Sequence, residues 1–143
     1  MSARPVTLLI ADDDPEDRAM LAEVFAENEW VSEIKFVTDG EELLDYLENR
    51  GKFADAEKHP RPDLVLLDLN MPKKDGREAL AEVRSNPNFT DLPVVILTTS
   101  KAEEDIVKTS GLGANSFITK PDTFDGLVSI ARDLRRYWVK TIR

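Results

Sequence analysis

Cysteine is absent from the chain, which removes disulfides, thiolate metal sites and cysteine nucleophiles. Histidine occurs once, at His59, between Lys58 and Pro60. A single imidazole in a loop, with no second one near it, reads as a solvated side chain and is assigned no chemistry. Basic charge is in short supply as well. Lys and Arg number 19 against 28 Asp and Glu, a net charge of −9, so a broad face for nucleic-acid phosphates is not expected. No apolar run approaches the roughly 18 residues of a membrane span. Met1-Ser2-Ala3-Arg4-Pro5 leads straight into a strand-like segment and lacks the form of a secretion signal. A cytoplasmic protein with no membrane partner is expected. Internal repeats, low-complexity tracts and linkers are missing too, and a length of 143 residues suits one domain with a real core.

What is present is organised around Asp63-Leu64-Val65-Leu66-Leu67-Asp68-Leu69-Asn70-Met71-Pro72. Leu64 to Leu67 run without polar alternation, as in a central parallel strand buried on both faces, and they end on a carboxylate. Met71-Pro72-Lys73-Lys74-Asp75-Gly76 then turns the chain away. Asp68 is thereby placed at the carboxyl end of an inner strand, where open α/β sheets hold their ligands.

The remaining segments alternate. Val6 to Ala11 reads as a buried strand running into Asp12-Asp13-Asp14-Pro15-Glu16-Asp17. Asp14 before Pro15 is a helix start, and Asp14, Glu16 and Asp17 are accounted for by capping and the helix dipole. Asp12 and Asp13 are left over. Ser32 to Val37 alternates, as an edge strand does. Thr38-Asp39-Gly40-Glu41 opens a helix with a capping-box pattern, and Gly51 is its expected stop. Gly76 to Ser85 is a further helix, followed by a continuous apolar strand at Pro93 to Leu97 and then Thr98-Thr99-Ser100. A second capping box, Ser100-Lys101-Ala102-Glu103, opens a polar helix that stops at Gly111. Ser116 to Thr119 is the fifth strand, leading to Lys120-Pro121, and the last helix runs from near Asp122 to about Lys140. Five strands alternating with five helices give a parallel sheet covered on both faces.

In such a sheet the strand ends share one edge, which collects Asp12 and Asp13, Asp68, Thr98 and Lys120. Converging carboxylates repel one another, and a hard divalent cation such as Mg²⁺ relieves the repulsion. Cation, ammonium and hydroxyl together would hold a phosphoryl group as it transfers onto a carboxylate, and Asp68, on the middle strand, is the natural acceptor.

The order of these features resembles the receiver domains of two-component response regulators. An acidic pair is followed by Asp-Leu-Asn-Met-Pro…Gly, then Thr, then Lys-Pro, and the intervals from Asp68 to Thr98 and to Lys120 are those of the family. The resemblance covers essentially the whole chain and implies a single receiver over 1–143 with no output domain. It also implies a flavodoxin-like, doubly wound sheet in the order 2-1-3-4-5. Carried onto these residues, it makes Asp68 the site phosphorylated by a histidine kinase or phosphotransfer protein. Asp13, Asp68 and the Asn70 carbonyl would bind Mg²⁺, with Asp12 helping through water. Thr98 and Phe117 would be the switch pair and Lys120 the phosphoryl contact. Only self-catalysed phosphorylation and dephosphorylation are expected, not an enzyme acting on a separate substrate. A narrower likeness, in the long Gly51–Pro62 connection, Asn70 to Gly76, Leu97 to Asp105 and the aromatic C-terminal end, points to the single-domain regulators that partner bacterial phytochrome kinases. One departure is Thr99, where the family usually has alanine or glycine. Its larger side chain puts the lifetime of the phosphorylated form in question.

A phosphatase of the haloacid-dehalogenase type would carry Asp-x-Asp on its first strand; here the nucleophile candidate is on the third, with Asn70 two residues on. Output to a downstream target protein must then pass through the surface. The C-terminal helix offers one: Phe124, Leu127, Val128, Ala131, Leu134 and Trp138 form a stripe expected to face the sheet. Ile130 and Tyr137 widen the apolar arc, and Val139 and Ile142 continue past the expected helix end. Ile130, Tyr137 and Trp138 are the expected homodimer contacts.

Overall fold

The computed structural model describes residues 6–28, 31–69, 71, 73–74, 76–98, 113–114, 116–121 and 123–137, without the side chains of Thr98, Ser116 and Tyr137. In chain order the elements are β1 (Val6–Ala11), α1 (Pro15–Ala26), β2 (Val31–Val37), α2 (Gly40–Leu47), β3 (Leu64–Asp68), α3 (Gly76–Ser85), β4 (Val94–Thr98), β5 (Ser116–Thr119) and α4 (Phe124–Tyr137). Short 3₁₀ turns occupy Gly51–Phe53 and Pro87–Phe89. All strand pairings are parallel, in the order β2-β1-β3-β4-β5. The expected polar helix between Ser100 and Gly111 lies outside the described residues. None of the helices described is long and apolar enough to cross a membrane.

Successive strand residues point to opposite faces, so an uninterrupted apolar strand feeds two cores. Leu9, Ala11, Val65, Leu67 and Ile96 pack with Leu43, Tyr46, Ala79, Leu80 and Val83 beneath α2 and α3. Leu8, Ile10, Leu64, Leu66, Val95 and Leu97 pack with Leu21, Val24, Phe25 and Leu127 beneath α1 and α4. The residues of β1 and β3 are buried almost without exception, while β2 is largely half-exposed, as its alternation implies.

The α2 start lies one residue later than its sequence pattern suggests. Asp39 is the N-cap and accepts a hydrogen bond from the Glu42 amide (2.8 Å), and Glu42 Oε1 accepts from the Thr38 amide (2.8 Å) and hydroxyl (2.9 Å). Burial alone would raise the Glu42 carboxyl, but hydrogen bonds from Lys52 and Thr38 hold it below its usual value. At the other end, the left-handed residue is Asn49 (φ 53°), and Gly51 (φ 59°) starts the 3₁₀ turn. Asparagine tolerates this conformation when its side chain is tied locally. The Asn49 amide nitrogen donates to the carbonyls of Phe53 and His59, both at 3.0 Å.

His59 is not a solvated loop residue. Its ring is half-buried and meets Phe53 and Tyr46 edge-on, at centroid distances of 5.2 and 5.6 Å. The Tyr46 hydroxyl donates to the Pro60 carbonyl (3.0 Å), and burial, with a smaller push from Glu33, raises the phenol to about 12. The long connection after α2 is thus folded down on three aromatic rings.

The apolar arc of α4 is rotated from expectation. Leu127, Ala131 and Leu134 are buried and Ile130 packs beside them, whereas Phe124 and Val128, expected to face the sheet, are 38% and 40% exposed. An arc this wide fits the core in more than one rotation, and packing against α1 selects among them. Trp138, Val139 and Ile142 lie outside the described residues.

Gly40 is required by close approach. Its amide donates to the Lys74 carbonyl (2.8 Å), and a Cβ there would lie 2.2 Å from that oxygen. Gly40→Ala should cost about 3 kcal/mol in urea unfolding. Gly51→Ala, strained by φ but meeting nothing within 4 Å, should cost roughly 1 kcal/mol. Equal losses would mean that the Lys74 segment yields easily.

Candidate functional site

The carboxyl ends of β1, β3 and β5 meet at one point. Asp12 continues β1 by donating its amide to the Val37 carbonyl (3.0 Å), which directs its side chain into the crevice, where it is fully buried. Its Oδ1 accepts from the Asp14 amide (2.9 Å), and Asp14 in turn caps α1 by accepting from the Glu16 amide (2.9 Å). Asp68 ends β3 and is 4% exposed. The chain is pinned just beyond it: the Leu69 amide donates to the Leu97 carbonyl (3.3 Å) and the Gly76 amide to the Leu69 carbonyl (3.0 Å). A Cβ on Gly76 would lie 2.5 Å from the Asp68 carbonyl oxygen, so α3 can begin this close to the strand only with glycine.

Lys120, one residue past β5, reaches across to both strands. Its Nζ lies 2.8 Å from Asp17 Oδ2, 2.9 Å from Asp12 Oδ2 and 3.0 Å from Asp68 Oδ2. Burial works against the ammonium, but hydrogen bonds to Asp17 and Asp12 and the charge of Asp68 prevail and raise its pKa above the usual lysine value. Asp17 is a residue that sequence reasoning passed over, since capping and dipole effects accounted for it. The signal was available in its position, one turn into α1 from the acidic pair and on the same side.

Asp13 is exposed, and carboxylate oxygens of Asp12, Asp13 and Asp68 lie within 4.8 Å of one another. Three converging oxygen donors, one facing solvent, suit a hard divalent cation that keeps part of its water shell. Asn70 lies outside the described residues. Thr98 ends β4 opposite Thr119, which puts its backbone on the same edge. Phe117 stands opposite Ile96, half-buried against the core under α2 and α3. A groove of about 450 Å³ between α2, α3 and the Pro87–Phe89 turn contains none of these residues.

Residues 8–132 match the response regulator receiver domain. The chain belongs to that family. Response regulator Rcp1 of Synechocystis is 36% identical over 138 residues, 96% of this chain and 92% of its own length. Among solved structures, the phosphorylated cyanobacterial phytochrome response regulator RcpA is 38% identical with a TM-score of 0.84, each chain covered to 96%. The Mn²⁺-bound form of Rcp1 is 35% identical with a TM-score of 0.82, covering 97% of this chain and 98% of its own. The receiver is therefore related to phytochrome response regulators over nearly its whole length, and its acidic cluster occupies the fold's ligand edge.

Lys120 is the internal counter-charge of this receiver's crevice. Lys120→Met in chelator should lower stability to urea by about 3 kcal/mol, since buried carboxylates are left uncompensated, and added divalent cation should restore much of it. The raised lysine contributes fully below its unfolded value of roughly 10.4 and is lost only as alkali passes its higher folded value. The difference between wild type and variant should therefore be flat across neutral pH. A variant as stable as wild type in chelator would remove the counter-charge role.

Proposed function

We propose that the protein is a phosphoryl-accepting signalling receiver with Asp68 as the acceptor. The observation that carries this is a carboxylate 4% exposed at the end of the central strand, held 3.0 Å from a lysine ammonium and beside two further carboxylates. An Asp68 oxygen forms a bond to phosphorus as the phosphorus–nitrogen bond of a donor phosphohistidine breaks, the electron pair leaving on the imidazole nitrogen. Asp13, Asp68 and the Asn70 carbonyl would hold Mg²⁺, with Asp12 helping through water, and the ion would supply positive charge for the phosphoryl oxygens. Lys120 turns from its carboxylates to one of those oxygens. The Thr98 hydroxyl moves toward another, and Phe117 fills the space it leaves, a two-state packing change biased by local charge.

The donor is a histidine kinase or phosphotransfer protein, and the likeness to Rcp1 and RcpA favours a phytochrome kinase in the cytoplasm. Turnover is limited to the protein's own phosphorylation and dephosphorylation, and the signal passes to a downstream target protein. A homodimer through the C-terminal helix belongs to the same proposal. The exposed Phe124 and Val128 favour it, and they join Tyr137 and Trp138 as candidate anchors in place of the half-buried Ile130.

With a small phosphodonor and Mg²⁺, wild type should gain one phosphate by intact mass and Asp68→Asn none. Undiminished labelling of that variant, or full labelling in chelator, removes the assignment. Light scattering of wild type and of Phe124→Ser with Val128→Ser tests the dimer, which is lost as a proposal if wild type stays monomeric with and without a phosphoryl mimic.

A further inference from the structure

Phosphoryl transfer by itself gives no role to the contact between Lys120 and Asp17. At 2.8 Å it is the shortest of the three ammonium contacts, and it comes from outside the metal-suited carboxylates, on the first turn of α1. The other two contacts are to Asp12 and Asp68, whose oxygens also belong to the cation cluster. An ammonium and a divalent cation therefore share two carboxylates and repel each other across them. The Asp17 side chain is 29% exposed and that of Lys120 11%. Beside the pair lies a space of about 20 Å³ bounded by Asp17, Met20, Leu97, Lys120 and Pro121. The ammonium has both a carboxylate and room on the side away from the cluster.

We propose that Asp17 is a positioning residue, the seat to which Lys120 withdraws when a divalent cation takes Asp12 and Asp68, and so a determinant of the site's cation affinity. This rests on the reading of Asp12, Asp13 and Asp68 as the metal cluster. A displaced ammonium with no partner would be a poorly solvated charge beside a dication, and cation binding would have to supply that cost. Asp17 keeps it partnered throughout.

Calorimetric titration of the metal-free full chain with Mg²⁺ alone, with no phosphodonor, tests this. Asp17→Asn should bind Mg²⁺ about three- to fivefold more weakly, the size of one partly exposed charge contact. Asp17→Glu, which keeps the charge, should stay within about twofold of wild type. In a Lys120→Met background the effect of Asp17→Asn should fall below about twofold, since only its distant charge is then lost. Circular dichroism checks each fold, and Asp17→Ser replaces Asp17→Asn if the amide disturbs α1. Wild-type affinity in Asp17→Asn, or an equal loss with and without Lys120, overturns the proposal and leaves labelling of Asp68 unaffected. A wild type that binds Mg²⁺ but takes no phosphate overturns the acceptor reading and leaves the Asp17 role standing. Absence of Mg²⁺ binding in wild type overturns both.

Discussion

One ammonium among three carboxylates sets the terms for the functional edge of this receiver. Asp12 and Asp68 are deeply buried, and Lys120 supplies their counter-charge from the far side of β4. Neighbouring strands stand about 4.8 Å apart, so β5 lies two spacings from β3 and three from β1. A long, flexible stem ending in a compact charge can bridge that gap and reorient afterwards, where a rigid guanidinium fork would fix one geometry. The strand order β2-β1-β3-β4-β5 is what makes the arrangement available. It places the two acidic strands side by side and the lysine strand on one flank only, leaving the solvent side of Asp13 open.

Backbone contacts provide the matching precision on the other flank. The segment between β3 and α3 is held at both ends, by Gly76 against the Asp68 carbonyl and by the Lys74 carbonyl against Gly40. Between these points Lys73 adopts a left-handed conformation (φ 61°), an uncommon one for a residue with a side chain. Its ammonium lies 3.8 Å from Asp39, the N-cap of α2. The α2 start and the loop after Asp68 therefore share a carbonyl, an amide and an ion pair, so the backbone that follows Asp68 is positioned by an element remote from it in sequence.

The parts of this architecture legible in the sequence were those governed by local pattern. Continuous apolar runs marked the inner strands, alternation marked β2, and Asp14-Pro15 marked the start of α1, because burial on two faces, burial on one and a capping oxygen each leave a local trace. Residues whose roles depend on distant partners were not legible in the same way. Asp17 satisfies a helix dipole and nothing in its neighbours names Lys120, which is remote along the chain. His59 looked solvated because Tyr46 and Phe53 meet it only after the connection folds back. The rotation of α4 was hidden for a different reason: its apolar residues span too wide an arc to specify one buried face, so the choice falls to α1.

Burial also divides the site into unequal halves. Asp12 and Asp68 extend strands whose residues are essentially inaccessible, and both strands are bonded on each side within the sheet. Phe117 belongs to β5, a four-residue edge strand bonded on one side, where Phe117 and Ile118 are only half-buried, and Lys120 follows that strand directly. Moving a residue of β1 or β3 would disturb two ladders and fully buried parts of both cores, whereas a shift along β5 gives up one ladder and a half-buried fraction of each core. The half that holds the carboxylates is therefore the stiffer one, and the half that holds the lysine moves at lower cost; it is followed in the chain by α4, which presents Phe124 and Val128 to solvent.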